Sequence, residues 1–405
     1  EKRGQILRDL KHLLFFENLL QQANNELVQQ ACKDGRHAIA YNCSYIPEVL
    51  LDVTGCFGVR LRAPGCTNPD LATYYMTNRS CPYSKSILER AFEGGYNFID
   101  ALMGQECCTT MNRMEQYFGY CKLIPNEKFF TSFIDMPLKK TEWHAGYFRR
   151  QIEKKIIAPL TEVYGIDFSE ERIRAAVEQH NEVCRIITEL GSFRKLQNPP
   201  VTSYEFHVIQ LVTLTCPKDL ILPYLRETLE EVRAREPDAK PFYRARVMVV
   251  GSEIDDPDFT KLLEGCGAYV VADRYCFGSI PGREEIVLTP GCDVLQAIAE
   301  QYMYNNQCPR AMGAENIVGR KHFLYDLAKE YGAEGMIVEN MKFCEYWGYE
   351  RAQAAQWMRE GFEVPEPIPV CQIEKDYTNA ATGQLRTRFQ AFVESLEIKR
   401  IQAGR

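Results

Sequence analysis

The sequence predicts an α/β protein: two parallel-sheet units with a helical insert between them and flanking helices. Three observations carry this reading. Short apolar runs ending in polar residues alternate with helical stretches on both sides of the chain, the middle reads as long amphipathic helices, and 405 residues are too many for one ordinary core. The expected division is an N-terminal helical segment over 1–35, a first α/β domain over 36–141, a helical region over 142–240, and a second α/β domain over 241–405 ending in a C-terminal helix.

EKRGQILRDLKHLLFFENLLQQ places apolar residues at helical spacing with charges between them, the pattern of a packing helix and not of an export signal. HAIAYNCSYIPEVLLDVTG reads as strand, loop and helix, with Pro47 suited to a first helical turn. NFIDALMG and KFFTSFIDMP read as short buried strands separated by helices. From Glu142 to about Asp238 long helices take over, among them SEERIRAAVEQHNEVCRIITELGSF, where Ser169 and Glu171 suit the start and Gly191 lies near the end. RARVMVVGSEIDDPDFTKLLEGCGAYVVADRYC restarts the alternation. Helices near 293–304 and 318–331 follow, and AEGMIVENMKFC and IPVCQIEKD supply further strands. The two α/β units look alike in architecture though not in letters.

Hydrophobic residues at 45% and charged residues at 25% are globular values. A net charge of -7 without basic blocks speaks against a nucleic-acid groove, which needs cations to replace phosphate counterions. No run of about 18 apolar residues offers a membrane span. A cytoplasmic location is expected, where thiols stay reduced, so sixteen cysteines point to metal or redox chemistry. Cys184, Cys216 and Cys266 lie in apolar periodic surroundings and read as buried packing residues. Cys-x-x-Cys pairs of the zinc-module kind do not occur, no histidine neighbours a cysteine, and the GxxxxGK[ST] phosphate loop is missing, so ATP would have to bind a partner.

Ligands of open parallel sheets gather at the carboxyl ends of the strands. Cys43 follows HAIAY, Cys107 and Cys108 follow NFIDALMG, Cys276 follows AYVVAD and Cys344 follows GMIVEN, which puts sulfur on four strand ends of one predicted edge. Cys81 introduces a helix with Pro82 in its first turn, Cys108 stands ahead of TTMNRMEQYF, and Cys308 in NNQCPRAM repeats the Cys-Pro pattern. Backbone N–H groups and the dipole at a helix start lower a thiol pKa and favour thiolate as a metal ligand. Gly278 and Gly282 mark a loop around Cys276 free to wrap a ligand. Single cysteines from separate loops suit an iron–sulfur cluster between domains, with a reactive thiol and plain burial as the alternatives that spacing leaves open.

YNCSYIPEVL, SCPYSKS, CCTTMNRMEQYF, VVGSEIDDP with VVADRYCFGS, YNNQCPRAM, NMKFCEYWGYE and IEKDYTNAATGQLRTRFQAFVE occur in that order. In these elements, from about residue 36 to 400, the chain resembles the 2-hydroxyacyl-CoA dehydratase D-component family, which also contains benzoyl-CoA reductase subunits and double-cubane cluster proteins. The resemblance implies two Rossmann-like domains plus helices, an oxygen-sensitive iron–sulfur protein working as a homodimer or as a heterodimer with a related subunit, and a separate ATP-hydrolysing iron–sulfur activator that injects low-potential electrons. Cys81, Cys108 and Cys344 match the ligands of the cubane common to the family, with Cys107 as packed neighbour of Cys108 or in exchange with it. Cys276 and Cys308 look like features of the double-cubane and benzoyl-CoA reductase-like branches. Cys43 completes that second set of three, with Cys56 or Cys66 as substitutes. Ser44 matches the serine near the cluster's open iron and is the catalytic candidate; capping the following helix is its structural alternative. Arg386 and Arg388 fit a solvated helical face, and Glu374 and Asp376 the end of a strand.

The function so implied is reduction of a small substrate at a double-cubane cluster with electrons from the activator. Two alternatives stand beside it: a dehydratase or benzoyl-CoA reductase subunit with a single four-iron cluster and an acyl-CoA substrate, and a cluster-bearing electron carrier without catalysis of its own.

Overall fold

The computed structural model describes residues 9–106, 108–237, 240–280, 283–360, 366–377 and 382–404; Cys107 and Gly282 lie outside the described residues. Helices α1 (Leu13–Leu19) and α2 (Glu26–Lys33) come first, and the Asn25 side chain caps α2 by accepting from the N–H groups of Leu27 and Val28. A first sheet follows from β1 (His37–Tyr41), β2 (Cys56–Arg60), β3 (Ala101–Gln105) and β4 (Phe130–Ile134), with α3 (Asp70–Tyr75), α4 (Pro82–Phe92) and α5 (Thr109–Tyr120) in its connections. Five helices make up the insert: α6 (Glu142–Ile152), α7 (Ala158–Tyr164), α8 (Glu170–Ser192), α9 (Ser203–Thr215) and α10 (Lys218–Ala234). The second sheet combines β5 (Ala245–Gly251), β6 (Ala268–Tyr275), β7 (Gly335–Met341) and β8 (Val370–Lys375). Its helices are α11 (Asp258–Gly265), α12 (Val294–Tyr304), α13 (Ala314–Glu330), α14 (Glu345–Glu360) and α15 (Thr382–Gln402).

The sheets run in the orders β2-β1-β3-β4 and β6-β5-β7-β8, and every pairing is parallel. This is the expected α/β fold of two Rossmann-like domains. In each sheet the order reverses beside its first strand, between β1 and β3 and between β5 and β7, which is where such sheets open a crevice. The inner strands are buried along almost their whole length, including polar residues such as Gln105 and Glu339 at their carboxyl ends.

Helix α9 joins the halves. It is buried at every position except Tyr204, polar residues such as His207 and Gln210 included, and begins in a capping box in which Thr202 and Glu205 satisfy each other's backbone N–H groups. Its side chains share one continuous core with Leu102 of β3 and with Val247 and Val249 of β5. Below the first sheet, Lys218 Nζ lies 2.6 Å from Asp52 and 3.4 Å from Glu48, and His180 Nδ1 stands 3.6 Å from Glu48. Burial alone would raise the Glu48 carboxyl, but Lys218 and His180 carry it down to about 2.

Two local expectations change, and the two ends of α8 fall where expected but work differently in detail. Strand β2 is new: CFGVR is short and carries a glycine, and its strand character comes from pairing with β1. The segment after Pro47 is a short 3-10 turn over Glu48–Asp52, because Gly55 at φ 100° turns the chain straight into β2. Ser169 occupies the N-cap position of α8, yet its hydroxyl bonds Asp167 instead of the helix. Gly191 sits inside the last turn, where a Cβ would meet the Phe206 ring at 3.4 Å. Cys184, Cys216 and Cys266 are buried as expected, and among the described residues no helix is long and apolar enough to cross a membrane.

Candidate functional site

A cavity of about 190 Å³ is lined by segments that follow the carboxyl ends of strands in both sheets. Cys43, Cys81, Cys108, Cys276, Cys308, Cys344 and Ser44 all line it. Cys56 does not, since it opens β2 at the opposite end of the strand and donates to Val53 O at 3.2 Å. Cys66 lies in a separate cavity beside Arg62 and Tyr377. Among the described residues no disulfide forms.

Local structure sorts the six into two kinds. Cys81, Cys108 and Cys344 each stand immediately before a helix, α4, α5 and α14. Pro82 at the first position of α4 costs nothing, because that N–H has no helical partner anyway. Cys43, Cys276 and Cys308 sit in turns. The Cys-Pro pattern at Cys308 therefore does not mark a helix start: the backbone turns there, Asn306 Oδ1 accepts from the Cys308 N–H, and α13 begins only at Ala314.

The electrostatics corrects a second expectation. Backbone N–H groups of Ser84 and Tyr83 do reach the Cys81 sulfur, and that of Trp347 reaches Cys344. Desolvation outweighs them: burial pushes Cys81 and Cys308 up to about 12, and Cys276 and Cys344 well above the ordinary thiol value. Without a cationic partner these thiols hold their protons. The thiol–thiol influences also divide. Cys81 feels Cys108, and Cys344 feels both; Cys308 feels Cys43, and Cys276 feels both.

Charged residues that sequence reading did not single out wall the cavity. Arg60 of β2 donates to Cys276 O at 2.6 Å, lies 3.7 Å from Glu253 and stacks over Phe277 at 4.1 Å. Glu253 follows β5, and burial raises its carboxyl to about 8. From the other half, Arg310 donates to Met136 O at 2.5 Å and Glu106 O at 2.6 Å. Ser44 Oγ accepts from Asn306 Nδ2 at 3.0 Å and caps no helix, which leaves its own proton to donate. The strand-end position of Glu253 in VVGSEIDDP was a usable signal; that of Arg60 was hidden with β2. At the rim, Phe343 adopts φ 62°, a left-handed conformation that costs a non-glycine residue about 1–2 kcal/mol, while 49% exposed. Arg386 and Arg388 are exposed on α15, and Glu374 and Asp376 pair with Arg351 and Lys342, all outside the lining of this cavity.

The donor set suits a multi-iron centre. Six thiols converge, and Asn42 Oδ1, Arg60 Nε, Glu253 Oε2 and Arg310 Nε, on residues that line the same cavity, are buried without a hydrogen-bond partner. Among the described residues no three His, Cys, Asp or Glu side chains are grouped to hold a single ion. A cluster instead carries its thiolates on different irons. A Cys–His pair does form elsewhere, His180 Nε2 at 3.4 Å from Cys184 one helical turn away. Burial holds that histidine down to about 4 and that thiol up to about 12, so the pair is neutral core.

The family model described as 2-hydroxyglutaryl-CoA dehydratase, D-component, matches residues 43–396. The chain is 25% identical to the (R)-phenyllactyl-CoA dehydratase beta subunit of Clostridium sporogenes over 94% of this chain and 97% of the relative. It is 24% identical to the (R)-2-hydroxyglutaryl-CoA dehydratase subunit beta of Acidaminococcus fermentans, over 89% and 93%. One of the benzoyl-CoA reductase subunits of Thauera aromatica is 20% identical, over 90% and 92%.

Proposed function

Since the chain belongs to the 2-hydroxyglutaryl-CoA dehydratase D-component family, whose relatives are dehydratase and reductase subunits, we propose that it is an iron–sulfur reductase acting on a small substrate at a double-cubane cluster. The observation that carries this is the convergence of six cysteines on one cavity in two sets of three. Cys81, Cys108 and Cys344 would hold one four-iron unit, and Cys43, Cys276 and Cys308 the other. When bound, the centre supplies electron transfer at low potential. The chain's own contribution is to desolvate the sulfurs, to aim the N–H groups of Tyr83, Ser84, Arg310 and Trp347 at them, and to present the Ser44 hydroxyl to whatever enters.

A cavity of about 190 Å³ that must also take the cluster leaves room for no more than a small substrate, pockets for drug-sized ligands beginning at roughly 300 Å³. The electrons come, in this reading, from an ATP-hydrolysing activator. The chain pairs with a second copy or a related subunit, which the naming of its relatives as subunits supports. Iron and sulfide analysis of an anaerobic preparation tests it: about eight irons per chain are expected, and about four would remove the double cubane.

The names of the relatives favour one second reading, a dehydratase or aryl-CoA reductase subunit with a single four-iron cluster and a CoA thioester near Ser44. Calorimetric titration with an acyl-CoA separates the two, since only this reading requires the thioester to bind.

A further inference from the structure

A second cavity, of about 220 Å³, opens between α8, α9 and the end of β6. Its charged lining is Arg194, Arg274 and Arg283 against Asp273 and Glu284, a formal balance of 3 − 2 = +1. Asp273 is fully engaged: it lies 2.9 Å from Arg194 Nη1, accepts from Gln210, and accepts from Ser279 N at 2.8 Å. Arg274 and Arg283 have no carboxylate within ion-pair distance among the described residues. Arg274 donates to Ser279 O at 2.6 Å and Asn305 O at 3.1 Å, and lies over the Phe323 ring at 4.5 Å. Arg283 donates to Gly278 O at 3.0 Å and Thr213 Oγ1 at 3.5 Å. The Nε atoms of both are buried without a partner.

Carbonyl oxygens satisfy hydrogens but do not neutralise charge, and Arg274 is only 4% exposed. Two guanidinium groups in one cavity with N–H donors to spare form the forked donor set that binds an oxyanion through two oxygens. We infer that this cavity is an oxyanion site, for a phosphate or carboxylate group, distinct from the cysteine cavity and lying behind the turn that carries Cys276. The carbonyls gripped by the two arginines belong to Gly278 and Ser279, so an anion held there would steady that turn from its far side.

The test is calorimetric titration of the full anaerobic chain with inorganic phosphate and, separately, acetate, at an ionic strength fixed with chloride. Saturable binding is expected, at least about 10-fold weaker in Arg283→Gln, the loss that follows from removing a charged hydrogen-bond donor. Thr188 is exposed at the mouth of the cavity, and Thr188→Glu should abolish binding with the fold intact by placing a tethered carboxylate there. Arg226→Gln, on a surface ion pair elsewhere, should leave binding unchanged. Tighter binding of phosphate assigns a phosphoryl ligand, tighter binding of acetate a carboxylate. Heats no greater than those of chloride, or binding that survives both Arg283→Gln and Thr188→Glu, would overturn the site. Iron content, measured on the same samples, reports separately on the cluster.

Discussion

The two cysteine sets are built differently, and under the proposed function the difference suits them to different work. Cys81, Cys108 and Cys344 each stand at the start of a helix, on backbone already fixed by its own hydrogen bonds. Cys43, Cys276 and Cys308 stand in turns, with Ser44 beside Cys43, Arg60 and Glu253 against Cys276 and Arg310 two residues from Cys308, while Arg79, Thr109, Thr110 and Glu345 stand beside the helix-start set. Under the proposed function, a set on helix starts is suited to holding, and a set in turns beside the Ser44 hydroxyl to meeting a substrate. Neither set belongs to one half of the chain. The helix-start set takes two cysteines from the first half and one from the second, and the turn set reverses the count.

Cys344→Ser and Cys276→Ser break the comparison most directly. Each variant should fall from about eight irons to about four per chain, with the surviving cubane giving a distinct electron paramagnetic resonance signal in each. Loss of no iron from one of them would dissolve the pairing of sets. Next, Arg320→Met leaves Glu350 buried without its cation near the start of α14 and should cost about 3–5 kcal/mol in urea unfolding of the folded chain. Arg60→Met should cost less at neutral pH, because Glu253, raised to about 8, is then largely protonated and leaves no bare charge. Both should also loosen iron, because Arg60 reaches across to the Cys276 carbonyl and Arg320 lies near the Cys308 thiol and bonds Ala311 O in the turn after it.

A pH effect of middle size compares the faces of the insert. His180 packs toward Glu48 of the first half and His207 bonds Ile254 O and Thr260 of the second, and burial holds each down to about 4. The unfolded chain binds protons near the ordinary value of about 6.5, so it takes up protons that the folded chain refuses. Stability is therefore complete above about 6.5 and is lost as pH falls toward 4. Between pH 7 and 5 the loss should be about 2 kcal/mol per histidine, and His207→Gln should remove its share of the slope. The smallest effect belongs to the rim: Phe343→Gly relieves the left-handed backbone at φ 62° and should raise stability by about 1 kcal/mol or less in thermal unfolding.

Much of this was legible in the sequence because parallel α/β sheets put strand ends on one edge. Cys43, Cys108, Cys276 and Cys344 could be placed by finding apolar runs, and Cys81 by the proline that follows it. What failed depended on tertiary context. Cys308 shares the Cys-Pro letters of Cys81 but no helix follows, since a helix there would need a run that begins only at Ala314. The thiol pKa values were expected to fall at helix starts and instead rise, because burial, which outweighs the N–H groups, cannot be read from neighbouring letters. Arg60 went unnoticed because its strand exists only through pairing with β1.

Arg60 and Arg310 form a reciprocal clasp: each half lends one guanidinium to the backbone of the other, on either side of the sulfur chamber. Prying the halves apart would strip Arg310 of both these acceptors and leave Arg60 with Asn42 O at 3.4 Å, so the clasp resists separation of the cavity walls. The six sulfurs thus sit between two strand-end layers tied to each other through main-chain acceptors, so a change at either arginine is felt on both sides of the cavity.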